Sequence, residues 1–434
     1  MSTAASTCFS RVWDWPSPEP GRVAADKAIL ILGGSADQLF AIETAKSMGL
    51  FVIVADRNPQ ALGFRYADEA VVISTRDIPS LLEFIRSYRK RRPIDGVMTM
   101  GSEIPMSVAV LSEELGAPGI SREIAYLASD KLAMKQRWLE CGVPVPWFQE
   151  VNSISELRRI IRERGYGLVI KPVDRSAARG VFRLSEGADL EALFGQAKGL
   201  SFAGRVMVEE YLDGPQESTE SIVYDDFFTT PGCSDRNYEL NPLFHPNMIE
   251  NGGTMPTDLP PEKWRRFDAM LEKAARALGI RRGVAKGDGV YCPRRGPVMF
   301  EMAARLSGGH MSSGLIPVST GVNIVETMID ISVGNVPDLT KLTPKWRKGA
   351  ALRYFFPTPG KWRGLEGLEE VMRQPWLKAL DLYYSPGDYV PKPPSHAERF
   401  GGFLVEGETR AEAEARARWV YDTVRIITEP KDEL

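Results

Sequence analysis

Residues 28–56 read AILILGGSADQLFAIETAKSMGLFVIVAD, and this stretch decides the fold. Ala28–Leu32 is an unbroken apolar run of strand length, and Gly33-Gly34-Ser35 turns the chain. A helical pattern then runs to Met48, and Phe51–Ala55 forms a second apolar strand that ends at Asp56. Two buried strands joined by a helix lie parallel, because only a crossover of that length returns the chain to the same end of the sheet. Strand candidates at Ala70–Ile73 and Gly96–Met100 alternate with the amphipathic segment Ser80–Lys90, which extends the unit into a doubly wound parallel α/β sheet. Gly33-Gly34 falls short of the G-x-G-x-x-G dinucleotide fingerprint, so no nucleotide is expected at this first turn.

Beyond the sheet, a helix after Ser129-Asp130 ends near Cys141-Gly142, and Val143-Pro-Val-Pro146 cannot continue it. A second unit starts there. Ser153-Ile-Ser-Glu156 has the form of a capping box, Tyr166–Lys171 and Arg205–Glu210 read as strands, and Pro261–Leu278 reads as a long helix. Two strands flank Pro293-Arg-Arg-Gly296, followed by a Gly-rich loop and a helix near Val322–Val333. Val336–Lys348 reads as a linker. Ala351–Phe356, Phe400–Val405 and a helix over Thr409–Ile426, opened by Thr409 and Glu412, then make a small α+β cap.

With 434 residues the chain exceeds a single core, so several subdomains around a shared cleft are expected. A net charge of -3 and a charged fraction of 26% favour neither nucleic acid nor an anionic membrane. Cys8, Cys141, Cys233 and Cys292 lie far apart with no C-x-x-C pair and no His at metal spacing, which suggests neither a disulfide framework nor a zinc site and suits the cytoplasm. No apolar run approaches the ~20 residues of a membrane span. Residues 1–26 lack a secretory apolar core, so the closing Lys431-Asp-Glu-Leu434 is read as coincidence rather than as a retention address.

The chemistry concentrates in Gly283–Ala303. Asp288 and Glu301 are equidistant from Pro293–Gly296, so a hairpin places their side chains on one face with Cβ atoms ~5 Å apart. Facing carboxylates repel unless a cation bridges them, and oxygen-only ligands favour Mg²⁺ or Mn²⁺. A solvated hairpin with scattered acids is the competing reading. Against it, Glu301 lies in the apolar run Pro297-Val-Met-Phe-Glu-Met-Ala303, where an unpaired charge is costly. Arg305 follows in Arg305-Leu-Ser-Gly-Gly309, where a guanidinium beside bare amides suits phosphate or carboxylate, though a surface Arg before a flexible turn reads equally simply. Lys171 closes a buried strand before Pro172 and the small-residue loop Asp174-Arg-Ser-Ala-Ala-Arg-Gly180; it faces either water or an anion. Val206-Met-Val-Glu-Glu-Tyr-Leu212 leads into Asp213-Gly214-Pro215, an exit whose backbone suits an adenine edge, with Glu217 placed for ribose hydroxyls. Core packing accounts for Val206, Val208 and Leu212 as well.

In order and spacing these features resemble the ATP-grasp superfamily from about Ala28 to Ile427. The matching pieces are Ser129-Asp-Lys131 through Pro146, Val169-Ile-Lys171-Pro172 with Gly180-Val181, Val208-Glu-Glu-Tyr-Leu212 with Gly214-Pro215, and Asp288 with Glu301-Met-Ala-Ala-Arg305. The resemblance implies that Lys131 and Lys171 bind ATP phosphates and that Glu209, Glu210 and Leu212 form the adenine hinge. It further implies that Glu217 holds the ribose, Asp288 and Glu301 hold Mg²⁺, and Arg305 steadies an acyl phosphate. The implied division is a flexible tail over 1–26 and a pre-ATP-grasp Rossmann-like domain over 27–120, ending in Asp95–Glu103 at the substrate cleft. A two-lobed α+β ATP-grasp domain over 121–335 and a linker with α+β cap over 336–434 complete it, the latter resembling biotin carboxylase-like members through Gly402–Glu412.

Two departures are visible. Ala303 stands where many members carry Asn, which bears on a second metal, and Ala177-Ala178 stand where others have glycines. The Glu-x-Ala-x-Arg form is similar to L-amino-acid ligases of the bacilysin-synthetase type. The resemblance thus implies a ligase using ATP and Mg²⁺ or Mn²⁺ to join a small-molecule carboxylate and an amine, with ADP and phosphate released. A bicarbonate-dependent carboxylase and an inactive nucleotide-binding protein are the alternatives, and homodimerisation is left open. Thr229–Asp258, with His245, Glu250 and Gly252-Gly253, reads as a loop-rich stretch suited to acceptor contacts. His245, His310 and His396 read as structural, His310 least so.

Overall fold

The computed structural model describes residues 27–430; the tail over 1–26, Cys8 and the terminal Lys431–Leu434 lie outside the described residues. Strands β1 (Ala28–Leu32), β2 (Phe51–Asp56), β3 (Glu69–Val72) and β4 (Gly96–Met98) form a parallel sheet in the order β3-β2-β1-β4. All five residues of β1 are buried, as expected of a strand covered on both faces by crossover helices. The expected strand to Met100 ends at Met98, and Met100 instead bridges Leu306, which brings the end of this sheet to the Arg305 loop.

A smaller sheet contains β5 (Phe148–Val151), β6 (Leu168–Pro172), β7 (Phe182–Arg183) and β8 (Val206–Glu210), ordered β5-β8-β6-β7. Helices Ile154–Arg164 and Leu190–Leu200 cover one face, burying Leu157, Ile160, Ile161, Leu193 and Ala197. Ser153 caps the first of these by accepting from the Glu156 amide at 3.2 Å, but Glu156 reaches back to the Asn152 amide, not to that of Ser153. Thr409 and Glu412 repeat this shifted box at helix Arg410–Thr423.

The largest sheet unites β9 (Gln216–Tyr224), β10 (Phe227–Asn237), β11 (Gly252–Met255), β12 (Arg282–Cys292), β13 (Gly296–Ala303), β14 (Gly349–Phe355), β16 (Leu377–Leu382) and β18 (Gly401–Gly407). Strands β15 (Gly360–Glu366), β17 (Tyr389–Val390) and β19 (Arg425–Glu429) form a separate small sheet. One expectation is corrected here. Thr229–Asp258 is not loop-rich throughout, because its first part belongs to the strand Phe227–Asn237, whose period is interrupted by a bulge between Thr229 and Gly232. Gly232 is needed there, since a Cβ would lie 2.2 Å from Ile316 Cγ1. The α+β cap is hydrogen-bonded to the central sheet, which β14, β18 and β16 continue through β11. That join rests on Gly252, at φ +148°, where any Cβ would meet Leu352 O at 2.0 Å. Among the described residues no helix is long and apolar enough to cross a membrane.

Candidate functional site

Asp288 and Glu301 are partners across β12 and β13, and both line a cleft of about 1010 Å³. The register reaches this pairing by an unexpected route. The connection is the three residues Pro293–Arg295, with Cys292 opposite Gly296 and Gly289 opposite Met299; an extra residue, Phe300, then bulges and restores Asp288 opposite Glu301. Neither acid stands bare. Lys286, two residues back on the same strand face, pairs with Asp288, and Arg236 Nη1 lies 3.8 Å from Asp288 Oδ1. Lys131 Nζ lies 3.2 Å from Glu301 Oε1. Burial pushes the Glu301 carboxyl up, but Lys131, Lys171 and Lys286 outweigh it and hold the pKa at about 2. Asp288 Oδ1 is buried with no hydrogen-bond partner. An ionised acid facing an orphaned carboxylate oxygen fits a hard divalent cation, with the remaining positions left to phosphate oxygens and water. Among the described residues no group of three or more His, Cys, Asp or Glu forms a complete protein cage.

Lys131 opens the helix Lys131–Glu140, whose N-cap Asp130 accepts from the amides of Leu132 and Ala133 at 2.9 and 3.0 Å. Its Nζ also donates to Arg175 O at 2.7 Å. Lys171, at the end of β6, pairs with Glu209 on the neighbouring β8. Glu209 Oε2 lies 3.1 Å from Lys135 Nζ, a fully buried group that the sequence reading passed over. Lys135 is one helical turn beyond Lys131, so the i, i+4 spacing was the available signal. Burial pulls the Lys135 ammonium down to about 8 against the pull of Glu209, and Lys171 adds repulsion. Burial raises the Glu209 carboxyl, yet Lys135 and Lys171 prevail and lower it.

The Glu209 carboxylate is therefore taken by two lysines, which leaves only its backbone for a nucleobase. Glu210 pairs with Arg295 at 3.0 Å and its amide donates to Trp147 O at 2.8 Å, while Leu212 lies past the end of β8; all three residues line the cleft. Glu217 is corrected. On β9 the neighbours Gln216 and Ser218 line the cleft, whereas Glu217 is fully buried and accepts from Cys233 Sγ at 3.2 Å. Strand alternation puts it on the far face of the sheet from the cleft, out of reach of a ribose bound there. Burial and the nearby Asp235 push its pKa to about 8 from 4.5. A raised carboxyl pKa means that the folded state holds the proton longer, so its stabilising contribution is complete below pH 4.5 and is lost as pH rises towards 8. Glu217→Gln is expected to flatten the decline in melting temperature between pH 5 and 8, measured by scanning calorimetry, without changing nucleotide affinity. An altered affinity would return Glu217 to the binding site.

Arg305 Nη2 lies 2.7 Å from Glu103 Oε2, which ties β13 to the end of Asp95–Glu103. The following loop is held by Ser307 N donating to the buried Glu220 at 2.6 Å and by Gly309 N donating to Asp37 at 3.0 Å. In the small-residue loop, Ala177 and Ala178 both adopt left-handed φ, 57° and 56°. Side chains there cost about 1 kcal/mol or more each relative to glycine. Ala177 O is fastened by the His396 amide at 3.0 Å, so the loop reaches the short turn His396–Glu398 that leads into β18.

Of the histidines, His245 contacts Ser185 at 2.9 Å and His310 contacts Asp381 at 2.5 Å. His396 Nε2 accepts from the Glu250 amide at 3.1 Å; burial together with Arg399 and Arg236 pushes its pKa well below the usual value, so it stays neutral. His310 and His396 both line the cleft, as do Lys286, Arg236, Glu250, Tyr354 and Arg399. Of these, Glu250 and the two histidines are singled out by the sequence; Lys286 has a local signal two residues before Asp288, while Arg236 and Tyr354 arrive from β10 and β14 and Arg399 from the approach to β18.

Three family models match the chain. Residues 42–119 match the ATP-grasp N-terminal domain, residues 130–340 the ATP-binding domain of the carbamoyl-phosphate synthase L chain, and residues 353–429 the L-amino acid ligase C-terminal domain 2. Among curated relatives, the uncharacterised protein y4rH of Sinorhizobium fredii is 22% identical over 91% of this chain and 81% of its own length. Alanine–anticapsin ligase of Bacillus subtilis is 23% identical over 75% of this chain and 70% of its own. Among solved structures, the L-amino acid ligase from Bacillus licheniformis superposes with a TM-score of 0.80 at 21% identity, covering 93% of this chain and 99% of that one. Biotin carboxylase from Campylobacter jejuni gives 0.69 at 19% identity, covering 94% and 93%. At these identities the superpositions establish the shared fold.

Proposed function

Because this chain belongs to the ATP-grasp superfamily and is an ADP-forming ligase, we propose that it joins a small-molecule carboxylate to an amine through an acyl phosphate. The observation that carries the reading is the convergence of Asp288, Glu301, Lys131, Lys171 and Arg305 on one cleft. On this reading the chain divides at about residues 120 and 335. Lys131 and Lys171 hold ATP phosphate oxygens, the backbone of Glu209–Leu212 meets the adenine edge, and Asp288 with Glu301 holds Mg²⁺ or Mn²⁺. When bound, the cation offsets charge on the phosphates.

A carboxylate oxygen of the donor attacks the γ-phosphorus, the bond to the β-phosphate oxygen breaks, and ADP leaves. Arg305 steadies the acyl phosphate, since its guanidinium fork matches phosphoryl oxygens. The amine nitrogen then attacks the acyl carbon, phosphate departs with the bonding electrons, and the nitrogen loses a proton. The loop over 172–180, fastened to both Lys131 and His396, covers the cleft and keeps water from the acyl phosphate. The L-amino acid ligase match over 353–429 favours an amino acid among the substrates.

The test is product stoichiometry over a matrix of small carboxylates and amines, alone and in pairs. The expected result is dependence on two organic substrates with ADP, phosphate and amide in equal amounts. AMP with pyrophosphate contradicts the reading, and turnover that needs only bicarbonate and one amine transfers it to a carboxylase.

A further inference from the structure

We propose that Arg399 anchors the carboxylate of an α-amino acid that serves as the amine acceptor. This rests on the ligase reading above and assigns the class of its second substrate.

Arg399 directly precedes the buried Phe400 at the start of β18, is only 5% exposed, and lines the cleft. Its guanidinium lies over the Tyr354 ring at 3.8 Å. Both Nε and Nη2 are buried without a hydrogen-bond partner, and Glu250 Oε1 stands 4.0 Å from Nη2. Nε and Nη2 make one edge of the planar group, the edge that takes a carboxylate side-on through two parallel N–H···O bonds. Leaving such donors unmade in a buried site is costly, so the edge calls for an acceptor that the chain does not supply.

The nearby acid stands out of hydrogen-bond reach. Arg236 Nε donates to Glu250 Oε2 at 2.6 Å, Glu250 Oε1 stays 4.0 Å from Arg399 Nη2, and Arg236 also faces Asp288 at 3.8 Å, which pairs with Lys286. A carboxylate placed side-on satisfies both donors at once and pairs the buried guanidinium.

Position separates the two substrates. The donor's carboxylate must lose its charge to phosphate and so belongs beside Glu301 and Arg305. A carboxylate locked side-on against Arg399 cannot be phosphorylated there, so it is a spectator, carried by the acceptor. Tyr354 connects the two places: its ring packs on Arg399 and its hydroxyl donates to Gly309 O at 3.4 Å in the loop that begins at Arg305. Tyr238 and Met248 add apolar wall for an amino-acid side chain.

The experiment compares glycine, L-alanine and L-phenylalanine with their carboxamides as acceptors, using wild type, Arg399→Met and Arg399→Lys. In wild type the free acids are expected to exceed the amides by at least about thirtyfold in kcat/KM, the scale of a buried charge pair losing one partner. Arg399→Met should close that gap through KM, with kcat within about threefold, and Arg399→Lys should restore it in part because charge returns without the fork. A gap that persists in Arg399→Met, or a wild type indifferent to the carboxylate, overturns the anchor. Thermal shift is read in parallel as a direct measure of binding. If no amine supports turnover, the ligase reading falls, and the anchor stands only if free amino acids, but not amides, stabilise wild type, fail to stabilise Arg399→Met and stabilise Arg399→Lys less than wild type. Equal or absent shifts then overturn it. Should Arg399→Met not fold, the same contrasts are scored on Arg399→Lys alone.

Discussion

Glu301→Gln lowers metal-dependent ATP turnover by at least about a hundredfold, the scale of a lost electrostatic stabiliser at a reacting phosphoryl group. The fold is expected to survive. Glutamine keeps the volume and a carbonyl oxygen for Lys131, whose Nζ also has Arg175 O at 2.7 Å. What disappears is the negative charge that Lys131, Lys171 and Lys286 hold ionised to a pKa of about 2. That depressed pKa also sets the sign of the pH effect. The Glu301 contribution to stability is present above its unfolded value of 4.5 and is lost only as pH falls towards 2, so Glu301→Gln should lower stability at neutral pH and narrow the acid-side loss, its deficit against wild type vanishing as pH falls towards 2. Turnover, Mg²⁺ dependence and circular dichroism check the three parts. Activity retained within about threefold, far above the expected loss, would remove Glu301 from the metal site.

The pairing on which that prediction stands was legible in the sequence, though partly for the wrong reason. A four-residue turn predicts Gly289 opposite Phe300; the actual three-residue connection puts Gly289 opposite Met299, and the bulge at Phe300 brings Asp288 and Glu301 back together. A bulge has no period-2 signature, so two errors of one residue cancelled. Glu217 shows the opposite outcome. It sits in a correctly placed stretch, but a strand side chain is either on the cleft face or behind it, and one residue of parity sends Glu217 to Cys233 while Gln216 and Ser218 face the cleft. The parallel sheet was legible because strands buried on both faces leave continuous apolar runs. The joining of β14, β16 and β18 to the central sheet was not, since edge-to-edge hydrogen bonding through β11 depends on backbone register between segments roughly a hundred residues apart. The Arg236–Glu250–Arg399 chain was illegible for the same reason: its members come from β10, the approach to β11 and the approach to β18.

Lys171→Met is expected to weaken ATP binding by about tenfold to a hundredfold, the range for hydrogen bonds to a charged group, while the melting temperature falls by only a few degrees. The neighbour that makes this separable is Lys135. Removing Lys171 does not strand the Glu209 carboxylate, because Lys135 Nζ remains 3.1 Å from Oε2, and methionine retains most of the aliphatic stem while losing the ammonium that lies 5.9 Å from the Phe300 ring centre. The substitution also deletes a like charge that helps depress Lys135. With that repulsion gone, Lys135 should titrate above its present value of about 8, which burial chiefly sets. For a lysine whose folded pKa lies below the unfolded 10.5, the unfolded state binds the extra proton between the two values, so stability rises with pH across that window. Raising the folded pKa towards 10.5 shortens the window, and Lys171→Met should therefore gain less stability than wild type between pH 8 and 10. Isothermal calorimetry with MgATP and denaturation at those two pH values read the two effects independently. Unchanged ATP affinity would take Lys171 out of the phosphate site, and an unchanged pH slope would show that Lys135 titrates without regard to its neighbour.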